Sequence, residues 1–135
     1  MDAFLGKWQL DRSRDQGVET YLQMGAYPAD MVEKYKSHGV TLEISRQGNK
    51  YCYTHTCEGL PDTANVFELG KETFFEVPGG EKFKGTITID GNKIRENATY
   101  TQGLVMEGVK EIVNNELKSV TTSSAGVMTQ FFKRC

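Results

Sequence analysis

The sequence lacks any long apolar run. Nothing in it approaches the roughly 18 consecutive apolar residues of a membrane-spanning helix, and the opening MDAFLGKWQL shows no basic stretch followed by an apolar core of the secretory kind. A cytoplasmic protein is the expectation. It also lacks an excess of charge of one sign: sixteen basic and eighteen acidic residues leave a net charge of -2, with no long runs of either. Binding that depends on a basic surface, as on nucleic acid, is therefore not expected.

Cysteine is scarce. Cys52, Cys57 and Cys135 form an odd set with no two-residue spacing, so neither a disulfide framework nor a zinc knuckle is indicated, and reduced thiols are expected. Histidine is scarcer still, with only His38 and His55. Neither lies in a recognisable nucleophile motif, and there is no Gly-rich phosphate loop and no metal-spaced cluster. His55 and Cys57 would share a strand face, but they lack an orienting third group. An enzyme is not expected, and no metal or redox cofactor is implied.

What the sequence does contain is one helical stretch followed by many short strands. The 135 residues are enough for one domain with its own core. In residues 17 to 37, GVETYLQMGAYPADMVEKYKS, Val18, Tyr21 and Leu22 recur at helical spacing. A break follows at Gly25, Pro28 takes a first-turn position, and Met31, Val32 and Tyr35 share a face. Two short helices joined by a turn are predicted. After a first strand at AFLGKWQLDRS, residues from 39 onward alternate β-branched and aromatic positions in GVTLEIS, QGNKYCYTHT, ANVFELG, KGTITIDG and later runs. Turn signals QGN, PGG, DGN and VNNE punctuate these runs, as hairpin connections would. About ten antiparallel strands in a closed barrel or sandwich are predicted, with no recurring helix for a parallel sheet.

The strand faces are unusually mixed. In NELKSVTTS one face carries Leu117, Ser119 and Thr121 and the other Lys118, Val120 and Thr122, so neither is a dry core face. The last strand, GVMTQFFKRC, sets Gln130 between Met128 and Phe132 on one face. A sealed core seldom includes an amide, whereas the wall of a hydrated cavity accepts both kinds of residue.

Several segments carry a family resemblance. AFLGKWQL as an opening strand, VETYLQMG as a first helix, VFELGKE and TITIDGNK as middle hairpins, and QFFKRC as a last strand make the chain resemble the intracellular lipid-binding proteins, which include fatty-acid-binding and cellular retinoid-binding proteins. The resemblance covers nearly the whole chain. It departs in a slightly longer segment between Trp8 and Val18, and in Val18 itself, where an aromatic is usual. The resemblance implies an all-β, ten-stranded antiparallel up-and-down barrel, calycin or lipocalin-like, capped by a helix-turn-helix over about residues 17 to 37. Residues 1 to 135 would form a single lipid-binding domain.

The resemblance also implies a function. The chain would bind and transport a small hydrophobic ligand, a long-chain fatty acid or a retinoid, non-covalently inside the cell, as a monomer. The helical cap, with Lys34 and Lys36, would make transient contact with a membrane surface during transfer. The fatty-acid branch usually places an Arg on the eighth strand and an Arg-x-Tyr pair on the last; here those positions read Lys110 and Gln130-Phe131-Phe132. Gln-x-Phe looks like the cellular retinol-binding branch, whose ligand ends in a neutral hydroxyl, but Lys110 does not fit that branch.

The expected ligand contacts are Lys110 and Gln130 at the head group, with Met128, Phe132, Ser119 and Thr121 along the wall. Leu60 stands at the portal, and Met31 and Tyr35 come from the second helix. Trp8 reads as core near the barrel base. The alternative is a ligand-free protein-interaction module on the same barrel; the polar lining weighs against it.

Overall fold

The computed structural model describes residues 1–17, 29–76, 82–100, 105–124 and 126–135. Its strands are β1 (Gly6–Leu10), β2 (Val40–Gln47), β3 (Lys50–Cys57), β4 (Thr63–Phe67), β5 (Thr73–Glu76), β6 (Lys82–Asp90), β7 (Lys93–Tyr100), β8 (Val105–Val113), β9 (Glu116–Ser123) and β10 (Gly126–Arg134), and among the described residues an α-helix, α1 (Ala29–Ser37), precedes β2. Short 3-10 turns at Asp2–Phe4 and Arg12–Arg14 flank β1. The predicted second helix is α1; the predicted first helix falls on residues 18–28, outside the described set.

The ten strands form one antiparallel sheet in the order β4-β3-β2-β1-β10-β9-β8-β7-β6-β5. Chain neighbours pair with chain neighbours, as short hairpin connections dictate. The exception is β1, which pairs with β10 through Trp8 opposite Arg134 and Leu10 opposite Phe132. That pairing curls the meander into a barrel. The remaining edge lies between β4 and β5, which share no backbone ladder. A side chain bridges it instead: Asn65 Nδ2 donates to Glu76 O at 2.7 Å, and Glu76 N donates to Asn65 Oδ1 at 2.9 Å. The Asn65 amide thus presents the donor and acceptor pair that a strand peptide group would have supplied.

Local chemistry explains the hairpins. Asn114 and Asn115 both take positive φ, 53° and 63°, between β8 and β9. A two-residue turn with this conformation matches the twist of the flanking strands, and Asn is among the few side chains that adopt it readily. The alternation resolves as the period of two requires. Ile87 is buried, as are Leu117, Ser119 and Thr121 on β9, while Lys118, Val120 and Thr122 turn outward.

The buried apolar residues form one main cluster. Trp8, Leu42, Ile44, Phe67, Ile94 and Leu117 are fully buried there, with Phe4 beneath them. Trp8 Nε1 donates to Phe4 O at 2.9 Å, and the Arg134 guanidinium lies 4.1 Å from the indole centroid. A buried indole N–H needs a partner, and the turn at Asp2–Phe4 supplies it. Strand β5 lies in Thr73–Glu76, a stretch too short for its alternation to stand out in the sequence.

Candidate functional site

The strands β7 to β10 line up their inward positions by register. Lys110 faces Ser119 and Ile94, Gly108 faces Thr121 and Glu96, Gln130 faces Ser119, and Met128 faces Thr121. Strand alternation then gathers Glu96, Lys110, Ser119, Thr121 and Gln130 into one polar patch on the inner wall. Lys110, Ser119, Thr121 and Gln130 are all buried. Apolar side chains bound the patch: Phe132 belongs to the main core, while Met128 packs against Ala98 and Met106.

Lys110 does not face solvent, and it is not a free cation. Its Nζ donates to Glu96 Oε1 at 2.8 Å, with both side chains nearly buried. The carboxylate lies over Gly108: a Cβ there would stand 2.8 Å from Glu96 Oε1, so a larger residue would displace the carboxylate from its present position. Burying either charge alone would be costly, and the pair satisfies both.

Across the barrel, β3 brings Tyr53 and His55 to the same ion pair. Lys110 Nζ stands 5.4 Å from the Tyr53 ring centroid, and Tyr53 meets His55 edge-on at 6.4 Å. Burial, together with the Glu96 charge, pushes the Tyr53 hydroxyl well above its ordinary pKa. Burial also drives His55 down to about 4, helped by the Lys110 charge, so the imidazole is neutral near pH 7. Tyr53 Oη, His55 Nδ1 and Glu96 Oε2 are buried and complete no hydrogen bond of good geometry.

Gln130 is tied to the cap. Its Nε2 donates to Tyr35 Oη at 3.0 Å, reaching from β10 to α1. Burial raises the Tyr35 pKa, so the phenol stays protonated. The Arg12 guanidinium lies 4.9 Å from the Tyr35 ring centroid and donates twice to His38 O, at 2.9 and 2.7 Å. These contacts fix α1 over the barrel mouth. Leu60 is partly buried and packs against the core, beside an exposed Pro61. The expected contact from Met31 concerns a side chain outside the described residues.

The sequence reading named Lys110, Gln130, Ser119, Thr121, Met128 and Phe132, and the structure brings these together on one wall, with Tyr35 joined to them through Gln130. It missed Glu96, Tyr53 and His55 as members. A signal existed for Glu96: in KIRENATY it shares the alternation of Ile94 and Ala98, an acid on an otherwise apolar face.

The family follows from comparison of the whole chain. A model of the lipocalin and cytosolic fatty-acid binding protein family matches residues 2–134. The chain belongs to this family. The family is described by what it binds and not by a reaction. The chain is 32% identical to fatty acid-binding protein 1 of Manduca sexta, covering 97% of this chain and 98% of that one. It is 27% identical to gastrotropin of Oryctolagus cuniculus over 88% of this chain and 92% of the relative. Among solved structures, fatty-acid-binding protein 1 of Echinococcus granulosus superposes with a TM-score of 0.89 at 18% identity, covering 99% and 98% of the two chains. A Schistosoma mansoni fatty acid binding protein solved with arachidonic acid gives 0.89 at 16%, covering 100% and 98%.

These two structural likenesses establish the ten-stranded barrel fold. Within this lipid-binding family the described residues form no cluster of three or more His, Cys, Asp or Glu able to hold a metal. No helix among them is long and apolar enough to cross a membrane.

Proposed function

We propose that this chain is a single-domain cytoplasmic carrier that binds a long-chain lipid, a fatty acid or a retinoid, non-covalently inside the barrel, and works as a monomer. The observation that carries this reading is the polar patch of Lys110, Glu96, Ser119, Thr121 and Gln130 set deep in an otherwise apolar wall. A solid core would not concentrate so many polar groups; a lipid with one polar end makes use of both surfaces. The relatives named for fatty acid binding support the same class of ligand.

In this reading the head group rests near Lys110, Gln130, Ser119 and Thr121. The tail runs along Met128 and Phe132 toward Leu60 and Tyr35 at the mouth. Most affinity comes from the tail, at about 0.8 kcal/mol per buried methylene. Helix α1, with Lys34 and Lys36 in its last turn, meets an anionic membrane surface transiently during transfer.

Mass spectrometry of lipids extracted from freshly purified protein tests this reading, followed by binding of oleate, retinol and retinoic acid to delipidated protein. Co-purifying lipid and saturable binding at one site per chain are expected. Protein that carries no lipid and takes up none of these would be an interaction module on the same barrel.

A further inference from the structure

We infer that Glu96 sets the ligand class: it cancels the charge of Lys110 and offers its second oxygen to a donor, so the site takes a long-chain lipid with an uncharged hydroxyl or amide head. This rests on the lipid-carrier reading above and says which lipid.

The argument starts from the charges. Lys110 is the one cation on the inner patch of described residues, and its ammonium is engaged with Glu96 Oε1 at 2.8 Å. The pair has no net charge to offer. An incoming carboxylate would have to compete with Glu96 for Lys110 and would then bury two like charges side by side, while an incoming ammonium would meet Lys110. Ionic heads of either sign are disfavoured for the same electrostatic reason.

The second part concerns what is left unpaired. Glu96 Oε2, Tyr53 Oη and His55 Nδ1 are buried and none completes a hydrogen bond of good geometry, although the Tyr53 hydroxyl lies near enough to Glu96 to feel its charge. A buried carboxylate oxygen without a full hydrogen bond is an expensive feature. A hydroxyl or amide N–H on the ligand would satisfy it by a charge-assisted bond, the stronger kind. Tyr53 Oη can donate to or accept from the same head group. The absent side chain of Gly108 is part of the device, because it is what lets Glu96 fold back onto Lys110.

The test uses oleyl alcohol, oleamide, oleyl methyl ether and oleate, which share one tail, against delipidated full-length protein at neutral pH. The parent is expected to bind the alcohol and the amide at least about tenfold tighter than the ether, which lacks a donor, and tighter than oleate. Glu96→Gln frees Lys110, so oleate should gain at least about tenfold relative to the alcohol. Oleate binding tighter than the alcohol in the parent, or ether matching alcohol, would overturn the inference while leaving a lipid carrier in place. An unchanged oleate-to-alcohol ratio in folded Glu96→Gln would also overturn it. If no probe binds the parent, the carrier reading fails and the inference falls with it. The parent comparison of alcohol, ether and oleate stands even where Glu96→Gln does not fold.

Discussion

His55 shows how one buried residue ties stability to pH. Its pKa falls from 6.5 to about 4 on folding, so between those values the unfolded chain holds a proton that the folded chain does not. Stability contributed by the neutral ring is complete above pH 6.5 and is lost as pH falls toward 4. The slope from this group is at most about 1.4 kcal/mol per pH unit. Urea unfolding of His55→Phe across this window should give a shallower loss than the parent; parallel curves would show that His55 does not titrate in isolation from water. Gly108 makes a second residue-scale case. Gly108→Ala sets a Cβ against Glu96 Oε1 and forces the carboxylate off Lys110. A loss of roughly 1–3 kcal/mol is expected in thermal or urea unfolding, and a neutral result would mean that the pair re-forms at no cost.

At the scale of elements, the seam between β4 and β5 is the weakest join. Neighbouring strands elsewhere exchange full ladders, whereas this pair is joined by Asn65 bonding Glu76 twice. Asn65→Ala should cost about 1 kcal/mol, because the bonds are exposed and water replaces them in part. The Glu76 amide should also exchange with solvent faster, while amides of β8 and β9 keep their protection. Uniform acceleration through the barrel would show instead that the seam supports the whole sheet. The cap is held by a second such join. Tyr35→Phe removes the acceptor that Gln130 uses and leaves a buried amide short of a partner, with a similar loss expected.

At the scale of the molecule, the barrel closes only when β1 meets β10, the two strands farthest apart in the chain. Such non-local pairing must meet its loop entropy before contacts reward it, so folding in roughly milliseconds to seconds is expected. The molecule carries its own probe of this step, because its single tryptophan, Trp8, sits on β1 under Arg134 of β10. Stopped-flow fluorescence should show Trp8 burial in that slow phase; native fluorescence within the mixing time would place burial of the indole before closure.

The sequence by itself determined the period of the longer strands, the hairpin turns and the family. These are local or whole-chain patterns: two-residue alternation in TITID, turn chemistry in DGN and VNNE, and the opening AFLGKWQL. It also put Lys110, Ser119, Thr121 and Gln130 on mixed faces, which was enough to expect a polar interior. Only the tertiary structure decided who pairs with whom. Glu96 reaches Lys110 because β7 and β8 are in register across Gly108, and Gln130 meets Tyr35 because the cap folds back over β10. Asn65 joins Glu76 because closing the barrel brings two strand edges together. Alternation dictates which way a side chain points, but an ion pair depends on distance, and distance between strands is set by closure of the whole sheet.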